Sequence, residues 1–226
     1  TSVGSDALKA NTTGERNVAV GETALDSNTT GIRNVAIGRS ALQGTQTASY
    51  NVGVGHSAMG DTTTGHNNTA VGNGALNSTT TGNNNVVIGT QALSSSATAS
   101  GEFTLGGGDI TNLRCNDTSI SSLSDSRDKT NIVDIPLGLT FINTVRPVAF
   151  DWNRRDGKME GKKDFGFIAQ ELKTAEDATV YANHMRLVHD NNPDKLEADP
   201  MKMFPILVKA IQELSTENEA LKARLT

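Results

Sequence analysis

Apolar residues in the first hundred positions fall in short alternating runs rather than along helical faces. Asn17-Val-Ala-Val-Gly21, Asn34-Val-Ala-Ile-Gly38 and Asn85-Val-Val-Ile-Gly89 set β-branched residues at every second position, the pattern of a half-buried strand. Each run leads into the unit Val-Gly-x-x-Ala-Leu. It reads Val3-Gly4…Ala7-Leu8, Val20-Gly21…Ala24-Leu25, Ile37-Gly38…Ala41-Leu42 and Val54-Gly55…Ala58-Met59. It continues as Val71-Gly72…Ala75-Leu76 and Ile88-Gly89…Ala92-Leu93, then fades at Leu105-Gly106…Asp109-Ile110. Every step is 17 residues without insertion, and Asn17, Asn34, Asn51, Asn68 and Asn85 keep it. Gly14, Gly31, Gly65 and Gly82 keep it too, with Ala48 in the gap. A fixed period without slippage predicts a solenoid over residues 1–108, each coil stacked on the last. The Thr-Thr-Gly stretches supply its turns.

One such coil buries few and small side chains. At about 1.5–3 kcal/mol for each large one, burial hardly offsets about 1–2 kcal/mol per ordered backbone residue. The expectation is therefore an all-β trimeric stalk, three chains sharing one axial core.

Past residue 108 the 17-residue step is lost. Residues 109–123 keep alternation at Ile110, Leu113 and Ile120 and are expected to be extended strands. The remainder, 124–226, has a mixed α+β pattern. Pro136 to Val145 reads as a short helix with Leu139, Ile142 and Val145 on one face, and Pro147 to Trp152 as a strand. Residues 154–163 form a charged hairpin tip, Phe165 to Ile168 the partner strand, and Ala169 to Thr174 the start of a helix. Trp152, Phe165 and Phe167 are expected in the core. From Met203, Leu207, Ile211, Leu214, Asn218, Leu221 and Leu225 alternate by four and three, a heptad seam over 203–226. Asn218 on that seam would fix register.

Composition sharpens the division. Of nine aromatics only Tyr50 and Phe103 precede residue 124. Residues 1–123 carry 5 basic and 8 acidic side chains, residues 124–226 carry 15 and 17, and the chain's net charge is −5. Neither half is basic enough for a nucleic-acid surface. No apolar run approaches the roughly 18 residues of a membrane span. The single cysteine, Cys115, excludes an intrachain disulfide and reads as a small apolar filler. Thr1 opens the chain without Met or a signal-like stretch, the expectation for a C-terminal piece of a longer protein.

Candidate chemistry is sparse. Gly106-Gly107-Gly108 lacks the Lys-Ser/Thr of a phosphate loop, and His184 and His189 fit no metal spacing. No cofactor is expected. Ser124-Asp-Ser-Arg-Asp-Lys129 puts a hydroxyl five residues before an amine. Serine becomes a nucleophile when a base takes its proton, and lysine is a base once its pKa is lowered by desolvation or a nearby cation. Arg127 favours that; Asp125 and Asp128 oppose it. Read from spacing alone, the same cluster is an exposed polar turn.

Residues 1–108 resemble the trimeric β-roll and β-helix repeats of phage tail fibres and trimeric adhesin heads. Ser124-Asp125-x-Arg127-x-Lys129-x-x-Ile132 resembles the opening of the endosialidase-type intramolecular chaperone domain. That self-processing peptidase domain occurs in phage tailspikes and in myelin regulatory factors. Leu137-Gly138-Leu139, Val145-Arg146-Pro147-Val148-x-Phe150-x-Trp152 and Asp164-Phe-Gly-Phe-Ile-Ala-Gln-Glu-Leu172 continue the likeness over about 122–226.

The resemblance implies cleavage between Leu123 and Ser124, with Ser124 as nucleophile, Lys129 as general base, and Asp125 and Arg127 in orienting roles. It implies a C-terminal domain that trimerises first, registers three stalks and is then released. The product would be a virion tail fibre or tailspike, assembled in the host cytoplasm. Its partners would be two further copies, upstream fibre segments and a host-surface receptor. An uncleaved, permanent trimerisation cap is the alternative. A cell-surface adhesin passenger is a third reading, disfavoured by the lack of a C-terminal anchor.

Overall fold

A computed structural model describes residues 1–110, 112–116, 122, 124–155, 157 and 159–225. The chain divides into two compact units, Thr1–Leu113 and Arg114–Thr226.

The upstream unit is a β-solenoid. Strands β1 (Ser2–Val3), β2 (Val18–Val20), β3 (Val35–Ile37), β4 (Val52–Val54), β5 (Thr69–Val71), β6 (Val86–Ile88) and β7 (Phe103–Leu105) form one sheet in chain order. All pairs are parallel, and Val18 faces Val35, which faces Val52. The coils are also bonded at the opposite corner, where Leu25, Leu42 and Met59 donate to Ala41, Ala58 and Ala75 carbonyls at 3.0, 2.9 and 2.9 Å. Gly55 follows β4 at φ 134, and a Cβ there would lie 2.4 Å from the Gly72 carbonyl oxygen. Only glycine allows coils to approach so closely.

The core lies inside each single coil. Ala19, Ala36, Ala70 and Val87 point inward from the strands, meeting Ala24, Ala41, Ala58, Ala75, Leu25, Leu42, Met59 and Leu76, all fully buried. The asparagines run beside them as a buried ladder. Asn51 Nδ2 donates to the Gly65 carbonyl at 2.8 Å, and Asn51 Oδ1 accepts the Asn68 backbone N–H at 2.9 Å. Asn34 and Asn68 repeat the arrangement. The expected core shared among three chains, a triple β-helix, is therefore corrected: one chain closes its own. Satisfied polar ladders and coil-to-coil backbone bonds do what small apolar side chains alone do not.

What the coil does not cover is its outer strand face. Val20, Ile37, Val71, Ile88 and Leu105 are 36–50% exposed, and Phe103 is 64% exposed.

In the downstream unit a 3₁₀ turn, Ser126–Asp128, precedes α1 (Leu139–Ile142), the antiparallel pair β8 (Val148–Asp151) and β9 (Lys163–Gly166), and α2 (Ala169–Asp177). Then come α3 (Ala182–Met185), the pair β10 (Val188–His189) and β11 (Glu197–Ala198), a second 3₁₀ turn at Pro200–Met203, and α4 (Phe204–Leu225). Phe141, Leu172, Met185, Leu187, Val188, Met203 and Ile206 form the core, with Leu137, Ile142, Val145 and Phe167 against it. Glu213 of α4 accepts the Leu139 N–H at 2.7 Å, capping α1. Gly138 makes room: a Cβ there would sit 2.3 Å from the Glu213 carboxylate.

Several expectations change. α1 is one turn, and its buried residue is Phe141, not Leu139. Phe165 is 85% exposed, because β8 and β9 form a two-stranded ribbon with no second layer over that side chain among the described residues. Cys115 is exposed rather than filling apolar space. Residues 112–116 and 122 form no strand, and Ile120 lies outside the described residues. α4 buries Ile206 and Ala210, one position off the heptad seam. Leu207, Ile211, Leu214, Leu221 and Leu225 are left 42–88% exposed.

Candidate functional site

The site is built on the first 3₁₀ turn. Asp125 is its N-cap, in extended conformation at φ −66 and ψ 135, and its Oδ1 accepts the Arg127 N–H at 2.9 Å. An aspartate two residues before an amide is the ordinary way such a turn begins. Asp128 N–H then donates to the Asp125 carbonyl at 3.1 Å and Lys129 N–H to the Ser126 carbonyl at 3.2 Å. The turn reverses the chain, so Lys129 leaves beside the point where Ser124 enters.

Lys129 Nζ lies 2.7 Å from Ser124 Oγ and 3.2 Å from the Ser124 carbonyl oxygen. The sequence-derived pair is thus brought together within one chain. Both residues are exposed. Leu123, the expected residue before the break, lies outside the described residues.

Beside this contact the Arg127 guanidinium grips the Asp125 carboxylate through Nε, at 3.0 Å to Oδ1 and 3.1 Å to Oδ2, and through its terminal nitrogen. The hydrogen bond from the Arg127 side chain, aided by the Arg127 N–H, holds the Asp125 carboxyl below its ordinary value. The same carboxylate raises Arg127. A second ion pair, Arg146 with Glu171, ties the segment before β8 to α2, with Arg146 Nε 3.0 Å from the carboxylate.

The contact between Lys129 and the Ser124 carbonyl has no signature in side-chain spacing, because it depends on where a main-chain oxygen points. The Asp125 cap does have one: the Asp-x-Arg spacing.

Comparison with curated proteins and with solved structures found no match. A family model described as "Chaperone of endosialidase" matches residues 124–183. The match opens on the serine that Lys129 touches. Residues 124–183 are thus similar to the chaperone-of-endosialidase family, and a β-solenoid precedes that segment in the sequence.

Proposed function

We propose that this chain is the C-terminal part of a phage tail fibre or tailspike. Its chaperone segment assembles and registers three solenoid stalks and then releases itself by cutting between Leu123 and Ser124. The observation that carries the reading is the 2.7 Å contact between Lys129 Nζ and Ser124 Oγ at the start of the chaperone segment.

The chemistry follows from a hydroxyl on the residue just after the scissile carbonyl. With Lys129 neutral, the hydroxyl donates its proton to Nζ as Oγ attacks the Leu123 carbonyl carbon, closing a five-membered ring. The ring opens by breaking the C–N bond, and the lysine returns the proton to the departing Ser124 nitrogen. Leu123 is now held as an ester on Ser124 Oγ, and water hydrolyses that ester. No external nucleophile has to be bound for the first step, since both reacting groups belong to adjacent residues. Lysine loses its proton most readily away from water. Ser124 and Lys129 are exposed in the single chain, so covering the site by assembly would switch cleavage on.

Self-association is supported by two exposed apolar strips among the described residues. Residues 3, 20, 37, 54, 71, 88 and 105 stack in one column on the outer solenoid face, and 18, 35, 52, 69, 86 and 103 in another, none charged. Parallel sheets are normally covered on both faces, and a continuous exposed apolar column marks an interaction surface. The α4 seam is the second strip. The partners proposed are two further copies, upstream fibre segments and, for the mature stalk, a host-surface receptor. The destination is the virion. Among the described residues no helix is long and apolar enough to cross a membrane.

A second reading rests on the 3.2 Å contact to the Ser124 carbonyl oxygen. It polarises the Ser124–Asp125 bond instead. Ser124 Oγ reaches that carbon only through a strained four-membered ring, so a water or a neighbouring copy's hydroxyl would have to attack. N-terminal sequencing of the small fragment decides: Ser124-Asp-Ser supports the first reading, Asp125-Ser-Arg the second. An intact wild-type chain beside Ser124→Ala on a denaturing gel supports a permanent cap and overturns both.

A further inference from the structure

We infer that the Asp125–Arg127 pair is the positioning device of the Ser124–Lys129 dyad, fixing the turn that returns Lys129 to Ser124 while each partner masks the other's charge beside the amine. This rests on the self-cleavage reading and gives the orienting roles expected of Asp125 and Arg127 a geometry and opposite electrostatic effects.

The geometric half comes from the double use of one carboxylate. Asp125 Oδ1 accepts the Arg127 backbone N–H at 2.9 Å and, with Oδ2, holds the same residue's guanidinium. Backbone and side chain of Arg127 are thereby tied to one group. The loop from Ser124 to Lys129 is only a single 3₁₀ turn, with no buried residue to hold it. Besides the Lys129–Ser124 contact itself, the clamp is a side-chain contact that fixes this turn. A bidentate fork of this kind needs arginine; lysine offers a single point charge.

The electrostatic half follows from which charges stand near Lys129. On this turn they are Asp125, Arg127 and Asp128, all exposed. A lone carboxylate beside an amine favours its charged form, and a lone cation favours the neutral form. Paired, Asp125 and Arg127 offset each other's effect on the amine, leaving Asp128 as the remaining charge of the turn. Removing either partner therefore does two things: it loosens the turn, and it uncovers the other's charge.

These effects separate in the pH profile of cleavage, measured on the full chain by denaturing gel, with native mass and melting temperature recorded to confirm folding. Arg127→Ala lowers the plateau rate about 10- to 100-fold, the cost of misplacing a catalytic group, and moves the midpoint to higher pH because Asp125 is unmasked. Asp125→Asn keeps an oxygen for the turn amide, lowers the plateau less, and moves the midpoint to lower pH. The double variant brings the midpoint back while the plateau stays low. Arg127→Lys restores the midpoint and only part of the rate. Wild-type rates and midpoints in folded Arg127→Ala and Asp125→Asn overturn the inference. So do equal midpoints with lowered plateaus, which are the mark of a purely structural role. Ser124→Ala and Lys129→Met run beside them: if these still cut, the dyad itself fails, a result distinct from failure of the clamp.

Discussion

Asn51→Ala tests the claim that polar ladders hold the solenoid. Asn51 is fully buried in the middle of five stacked asparagines. Its Nδ2 supplies the hydrogen bond to the Gly65 carbonyl at 2.8 Å, and its Oδ1 receives the Asn68 N–H at 2.9 Å. Alanine deletes both partners' bonds but leaves those main-chain groups inside, too deep for water to replace it. Each stranded group costs about 1–3 kcal/mol, so the variant should lose roughly 2–6 kcal/mol. Thr29→Ala is the control. It removes a 3.0 Å bond to the Gln46 carbonyl on the exposed surface and should change stability by less than about 0.5 kcal/mol. Both are made in a Ser124→Ala background, so that cleavage does not complicate the comparison. Urea unfolding with an unchanged slope gives the difference, and amide exchange should show protection lost at Asn68. A loss below about 1 kcal/mol for Asn51→Ala, with Asn68 still protected, would refute the ladder's role.

Gly55→Ala drives a Cβ to within 2.4 Å of the Gly72 carbonyl at a φ of 134, and should cost at least about 1–3 kcal/mol from strained backbone alone, read as a lowered melting temperature. Leu214→Asp places a charge on the α4 seam, where Leu214 is 48% exposed in the single chain. Native mass should fall from trimer to monomer and cleavage should stop with it. A trimer that persists and cuts would remove the seam from the account. Asp125 titrates below its ordinary 3.8 because Arg127 favours the carboxylate. A lowered carboxyl contributes above its unfolded pKa and loses that contribution as pH falls through the folded one. The Asp125–Arg127 contact should therefore remain at pH 3.8 and disappear only under stronger acid, as carboxyl chemical shifts would show.

The solenoid was legible because its constraint is periodic. Val18, Val35 and Val52 face one another across coils, and the same positions repeat in the sequence. How many chains enclose one core was not legible. The alanines and leucines looked too few for a single chain, but burial of Asn51 and its neighbours depends on carbonyls 14 residues away, which no hydropathy pattern registers. Downstream, Leu207 to Leu225 announced a seam, and the helix keeps it free by packing Ile206 and Ala210 instead. Phe165 misled for a related reason: aromatic character signals burial, yet a two-stranded ribbon leaves one face open. At the site, the resemblance carried Ser124 and Lys129. The turn that joins them is a local consequence of Asp125 and Arg127, both visible in the spelling of the motif. The Lys129 contact to a main-chain oxygen was not.

One comparison tests the whole account most directly: the intact masses of wild type and Lys129→Met after assembly. Cleavage before Ser124 predicts that wild type yields two pieces, the smaller beginning at that serine, while the methionine variant stays a single, equally trimeric chain. Processing of the Lys129→Met chain at the wild-type rate would contradict it.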